Sequence, residues 1–343
     1  MGVQNGRQIM RTFSSGHRGA AASSCVAEPA RVSKRGAEYT TSKAAKNPMK
    51  HSLATAATLT ATACLAITLL AQTPTSPAPA AGRAGRGNTG GFVPVVMDTV
   101  APELPKKLKK PSVLIFSKTN GWRDGPAIKM SNDALEAIVK KLGWSYFITE
   151  NAAVFNDADL KKFTITLWNN TSGNTHNDAQ RAAFIKYMEN GGAFLGTHGA
   201  GGDPRYDWAW YPETLLKAQF RVHSSQQLGT VKVEDTKHPI MKGIPQVWAR
   251  TYRDEWYSFR ENPRAKGVHV LAVADEKSYN PGGSSMGEDH PLVWTSCVGK
   301  GRMFYSAIGH NGENYAEPVY VQMLENALVW ASGKGGPGCP EKK

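Results

Sequence analysis

Seven histidines stand beyond residue 110: His176, His198, His223, His238, His269, His290 and His310. Two of them follow apolar runs and precede turns that contain glycine. His198 ends Ala193-Phe-Leu-Gly-Thr197 and opens Gly199-Ala-Gly-Gly202, while His310 follows Ile308-Gly309 and leads into Asn311-Gly312. An imidazole so placed can serve as a general base or a metal ligand, or can hydrogen-bond to steady the turn. No His-x-x-x-His or His-Glu-x-x-His pair occurs, so a zinc-type site would be assembled from distant segments. His269 lies in a Val-rich strand pattern and reads as structural.

Three carboxylates are candidates to join the histidines: Asp203, Asp254 and Glu255. The last two sit in Arg253-Asp-Glu-Trp-Tyr257. Neighbouring side chains of an extended chain face opposite ways, so only one of the two can serve a given pocket. A salt bridge to Arg250 or Arg253 is an equal expectation for them. Tyr206-Asp-Trp-Ala-Trp-Tyr211 adds rings on which the C–H faces of a sugar could stack, although helix packing uses the same residues. The glycine-rich stretches match neither a phosphate-binding P-loop nor a G-x-G-x-x-G fingerprint, and no nucleotide cofactor is expected. No C-x-x-C pair occurs. Cys297, in an apolar run, and Cys339, in a Gly-Pro tail, could pair in an oxidising compartment.

Strands and helices alternate ahead of these residues. Ser112–Ser117 is a continuous apolar run, the mark of a strand buried on both faces. Leu135, Ile138, Val139 and Leu142 recur at helical spacing and Gly143 supplies a stop. Tyr146–Ile148 and Ile165–Trp168 are further strands. Asn177 with Gln180 resembles a capping box, opening a helix with Phe184, Tyr187 and Met188 on one face. Ala193–Leu195 is the fourth strand. Such alternation implies right-handed crossovers and a parallel sheet, α/β and doubly wound in the flavodoxin-like manner. In that architecture ligands collect beyond the carboxyl ends of the strands. The second half is strand-rich, with candidates at 230–233, 268–274, 292–297 and 303–307. A closing helix carries Val321, Leu324, Leu328 and Ala331 on one stripe.

The chain has 343 residues and a formal net charge of +13. Residues 1–110 hold 15 basic and 4 acidic side chains, a net of +11, and residues 111–343 hold 26 and 24, a net of +2. A nucleic-acid-binding domain concentrates basic charge on its folded part, so no nucleic acid is expected. Met49-Lys-His51 followed by an apolar run from Leu53 to Ala71 describes a signal peptide over 49–71, with a membrane anchor as the alternative. Export to the periplasm or medium follows, with no membrane association after cleavage. Residues 1–48 are expected to be disordered, upstream of a true start at Met49, and 72–110 to be a solvated linker. The folded domain is expected over 111–333, with a flexible tail over 334–343.

Several segments together resemble the ThuA-like (trehalose-utilisation) family. They include Thr119-Asn-Gly-Trp-Arg123, Gly191-Gly-Ala-Phe-Leu-Gly-Thr-His-Gly-Ala200, Tyr206-Asp-Trp208, Asp235-Thr-Lys-His-Pro239, Asp254-Glu-Trp-Tyr257, His290-Pro291 and Gly309-His310. The resemblance implies a fold similar to class I glutamine amidotransferases and a link to disaccharides and their keto derivatives. Amidotransferase chemistry does not carry over, since Thr197-His198 stands where a nucleophilic Cys would be. The expectation is an exported protein that binds a small carbohydrate at the strand ends, as a monomer or homo-oligomer. It is either a hydrolase or lyase acting on an oxidised glycoside, or a non-catalytic sugar-binding module beside a separate enzyme. His198, His310 and Glu255 are the expected catalytic set. Arg123, His223, Tyr257, Asp203 and Trp208 are expected to contact substrate, and His198, His310 and His223 are the candidate ligands for a divalent metal such as zinc.

Overall fold

The computed structural model describes residues 90–336 and Cys339. The signal-like segment and residues 1–48 lie outside the described residues. In chain order the strands are β1 (Gly91–Phe92), β2 (Ser112–Phe116), β3 (Trp122–Arg123), β4 (Ser145–Thr149), β5 (Ile165–Asn169), β6 (Ala193–Thr197) and β7 (Phe220–His223). They continue with β8 (Thr230–Val233), β9 (Val247–Ala249), β10 (Tyr257–Phe259), β11 (His269–Asp275), β12 (Pro291–Val298) and β13 (Gly301–Ser306). The helices are α1 (Gly125–Lys141), α2 (Asp157–Leu160), α3 (Asp178–Glu189) and α4 (Pro318–Ala331).

Nine strands form one mixed sheet in the order β4-β2-β5-β6-β13-β12-β11-β8-β9. The first five run parallel. The rest pair antiparallel. Every residue of β2, β5, β6 and β13 is buried, as strands covered on both faces require. Of the strand-rich second half, β7 and β10 pair apart as a two-stranded sheet, and the remainder is no separate layer. It extends the parallel sheet, because β13 pairs parallel with β6 and antiparallel with β12.

Local signals account for the helix ends. Asp124 caps α1 by accepting from the Ala127 N–H, and Gly143 follows with φ +69°. Asn177 and Gln180 cap α3 reciprocally. In α4 the buried stripe is Tyr320, Met323, Leu324, Ala327, Leu328 and Ala331. Val321, expected on that stripe, is only half-buried, because the large neighbouring Tyr320 sets the inward face. No helix among the described residues is long and apolar enough to cross a membrane.

Two expectations about the ends change. Residues 90–110 are largely exposed, yet they are fastened rather than free. Asp98 takes a 2.7 Å ion pair from buried Lys118 and a 2.8 Å bond from the Ala152 N–H, and Leu104 and Leu108 pack on the core. The tail is fastened as well, through a Cys297–Cys339 disulfide that joins it to β12.

Phe116, Phe155, Trp168 and Phe184 form a ring cluster that also takes in His176, which stacks on Trp168 at 4.7 Å. Burial pushes the His176 imidazole down from 6.5 to about 3, with Arg181 and Lys118 adding to the shift. The unfolded chain therefore takes up this proton first. Stability from the group is complete above pH 6.5 and is lost as the pH falls toward 3. The expected slope approaches one proton, on the order of 1.4 kcal/mol per pH unit inside that window. Denaturant titrations at several pH values should show it in the native chain, and a His176→Phe variant should lack it. An equal slope in both chains would refute the assignment.

Candidate functional site

β6 is a fully buried parallel strand that delivers His198 at its carboxyl end. His198 has φ +40°, a left-handed conformation that non-glycine residues rarely adopt and that clusters at functional sites. The turn that follows is glycine-rich for a steric reason: a Cβ on Gly202 would lie 2.7 Å from the Tyr257 hydroxyl. This lets the Tyr257 ring pack 4.1 Å from the His198 ring, centroid to centroid. The His198 Nδ1 lies 2.8 Å from the Ala307 carbonyl oxygen. A carbonyl only accepts, so Nδ1 carries a proton, and Nε2 is the ring nitrogen turned toward the cleft.

His310 and Glu255 meet that nitrogen. His310 Nδ1 is 3.1 Å from His198 Nε2 and 3.2 Å from Glu255 Oε2, and His198 Nε2 is 3.6 Å from the same oxygen. Burial alone would raise the Glu255 carboxyl. The facing His198 and His310 imidazoles outweigh it and hold the group well below the usual carboxylate range. His310 shifts the other way: burial opposes its charge, but Glu255, Asp254 and Asp124 together raise it. Each shift favours the charged form of its group, a carboxylate facing an imidazole.

Two imidazole nitrogens and one carboxylate oxygen are also the donor set of open zinc sites. A tetrahedral ion with bonds of about 2.05 Å spaces its ligands about 3.3 Å apart. The separations of 3.1, 3.2 and 3.6 Å bracket that value. The spacing of the donor triangle therefore suits a small divalent ion. His223 is not part of it. Its Nδ1 is 3.6 Å from Glu255 but donates at 2.8 Å to the Ser224 carbonyl, and the ring is 43 % exposed.

A cleft of about 310 Å³ opens over the three residues. His223 and Tyr257 line it. Arg123 does not, because its guanidinium is held by both oxygens of Glu150, at 2.8 and 3.0 Å, and by Thr119. Asp203 turns back on its own loop to accept from the Arg205 N–H. Trp208 stacks on Trp210 beneath Arg181, lining a small separate cavity beside His176. Phe92, Trp122, Asp124 and Asn170 also line the cleft and were not among the expected contact residues. Asn170 follows β5, takes φ +50°, and accepts from the Gly199 N–H next to His198. Its place after a buried strand was the available signal.

Behind the centre lies a buried ionic group. Arg250 pairs with Asp254 at 3.0 Å and with Glu317 at 2.8 Å. Asp254 also accepts from the backbone N–H groups of Gly309, His310 and Glu255 at 2.9, 3.0 and 2.9 Å. Asp254 and Glu255 thus point to opposite sides, one into the core and one into the cleft.

A family model described as ThuA, trehalose utilisation, matches residues 112–331. The chain belongs to the ThuA family. Its ThuA domain is similar to a ThuA-like protein from Bacteroides uniformis, with 27 % identity, a TM-score of 0.57, and coverage of 70 % of this chain and 99 % of that one. A ThuA-like protein from Parabacteroides merdae shares the fold at 18 % identity and a TM-score of 0.52, covering 68 % of this chain and 94 % of that one. No curated protein matches the chain. Membership links the ThuA domain to trehalose and carbohydrate utilisation.

Proposed function

We propose that this ThuA domain is an exported carbohydrate-active enzyme that takes a sugar or keto-sugar in the 310 Å³ cleft, with His198, Glu255 and His310 holding a divalent ion such as zinc. The observation that carries the reading is the triangle of three donor atoms at the floor of that cleft. An ion bound there would polarise a carbonyl or hydroxyl oxygen as a Lewis acid. The protein supplies the rest. Tyr257 keeps its phenol proton, since burial and then Glu255 raise its titration well above the ordinary value, so it can donate to a substrate oxygen. His223 has Nδ1 committed to Ser224, which leaves Nε2 able to accept a proton. Asn170 and Asp124 offer polar edges for hydroxyl groups.

The order β4-β2-β5-β6-β13 supports a flavodoxin-like reading of the parallel half, similar to class I glutamine amidotransferases, because those strands in chain order read 2-1-3-4-5. A site at their carboxyl ends is where such sheets bind ligands. The disulfide to Cys339 supports export, since disulfides persist in oxidising compartments.

The test is elemental analysis of the purified protein, followed by zinc titration and incubation with trehalose, sucrose and their keto derivatives. One equivalent of divalent ion and ion-dependent conversion of a keto-disaccharide are expected. Sugar binding without turnover would make the protein a binding module. Failure to take up any divalent ion would remove the metal from the reading.

A further inference from the structure

Phe92 lies outside the segment 112–331 that the family model matches, yet its ring lines the same cleft as His198, Glu255 and His310. From this we infer that Phe92 and Trp122 form an aromatic subsite for the apolar face of a sugar ring, carried on an N-terminal strap, residues 90–98, that is part of the binding site. The inference rests on the carbohydrate reading of the cleft.

The strap is held in place. Gly91 and Phe92 pair antiparallel with Arg123 and Trp122. The Val93 N–H donates to the Gly121 carbonyl at 3.0 Å, and the Asn120 side chain bonds both the N–H and the carbonyl of Val96, at 3.1 and 3.0 Å. The Asp98–Lys118 ion pair anchors the far end. At the near end, a Cβ on Gly90 would fall 2.5 Å from the Trp122 Nε1, so only glycine lets the chain lie against the indole.

So many tethers would be unneeded if the strap merely passed by. What they hold is a ring that is 81 % exposed and meets Trp122 edge-on, with centroids 5.4 Å apart and planes at 83°. An apolar ring kept in water at the mouth of the cleft gains its burial only when a ligand arrives. The partner must offer an apolar face and polar edges together, because Asp124, Asn170 and Ser172 line the same cleft. A pyranose has that character: C–H groups on its faces and hydroxyls around its rim. Because the strap is fixed before binding, little ordering entropy is lost when the sugar stacks.

The experiment uses the full chain and two independent titrations, zinc and a panel of trehalose, sucrose, maltose and glucose by calorimetry. Phe92 makes few contacts, so Phe92→Ala should leave zinc affinity and melting temperature unchanged. Affinity for the tightest-binding sugar of the panel should fall on the order of tenfold, the scale of one lost ring contact. Phe92→Tyr should restore it. Sugar affinity unchanged in Phe92→Ala would overturn the subsite and leave the carbohydrate reading intact. No binding of any panel sugar by the native chain would overturn both. A parallel loss of zinc affinity would overturn the subsite by showing that the strap supports the metal centre instead.

Discussion

Replacing either histidine of the triangle should strip the divalent ion and take turnover to background. His310→Ala removes one of three donors. What remains is one imidazole and one carboxylate, too few to hold zinc against water. His198 needs a different substitution, because at φ +40° alanine keeps the Cβ clash of the left-handed region and loses the hydrogen bond to Ala307 as well as the ligand. Asparagine tolerates the left-handed region, so His198→Asn tests the ligand rather than the turn. Each variant should weaken zinc binding by at least about 100-fold, and the double variant should be hardly worse, because one missing donor already opens the site. Isothermal titration with zinc, read beside the melting temperature, decides it. If the native chain and both variants bind no ion, and each variant instead loses one limb of the pH–rate profile, the pair is a metal-free acid and base. If they only melt earlier, with ion and sugar affinity intact, both residues serve their turns and the site assignment fails.

How much of this could be read without coordinates depends on how local each signal is. The parallel strands were legible because a run such as Val113 to Phe116 is buried on both faces and is apolar throughout. The capping box at Asn177 lies within four residues, so it too survived translation into structure. His198 and His310 could be singled out from the turns after their strands, and Glu255 from its neighbours. Their convergence depended on β6 and β13 being adjacent and parallel, which no local pattern encodes. Arg123 and Trp208 misled for the opposite reason: residue type suggested binding, but Glu150 and Trp210 had already claimed them. Phe92 was hidden because a two-residue strand in a Gly-Pro-Val stretch has no period to detect. The Arg250–Asp254–Glu317 group was half visible. Arg250 and Asp254 are four residues apart, whereas Glu317 comes from the start of α4, distant in sequence.

That last group carries the second large effect. Asp254→Ala should destabilise the fold by about 3–5 kcal/mol, the range for breaking a buried ion pair from one side. The cost is high because Asp254 is 1 % exposed and serves four donors. Removing it leaves the Arg250 charge with Glu317 alone. The Arg250 Nη2 already has no hydrogen-bond partner among the described residues, so nothing nearby takes up the difference. The damage should also reach the centre. The N–H groups of His310 and Glu255 both end on Asp254, so a single carboxylate fixes the spacing between two of the three donor atoms. Zinc affinity should therefore fall well beyond what a distant destabilising change produces, even at temperatures where the variant is fully folded. Asp254→Asn is the discriminating companion. It keeps one carbonyl oxygen to accept from His310 and Glu255 while losing the charge that faces Arg250. Stability should drop nearly as far as in Asp254→Ala, with zinc affinity much better preserved. Denaturant melts paired with zinc titration on both variants test this. If the two lose zinc affinity equally, Asp254 acts through its charge. If neither loses it, the buried group supports the fold alone and the donor triangle is held by its own strands.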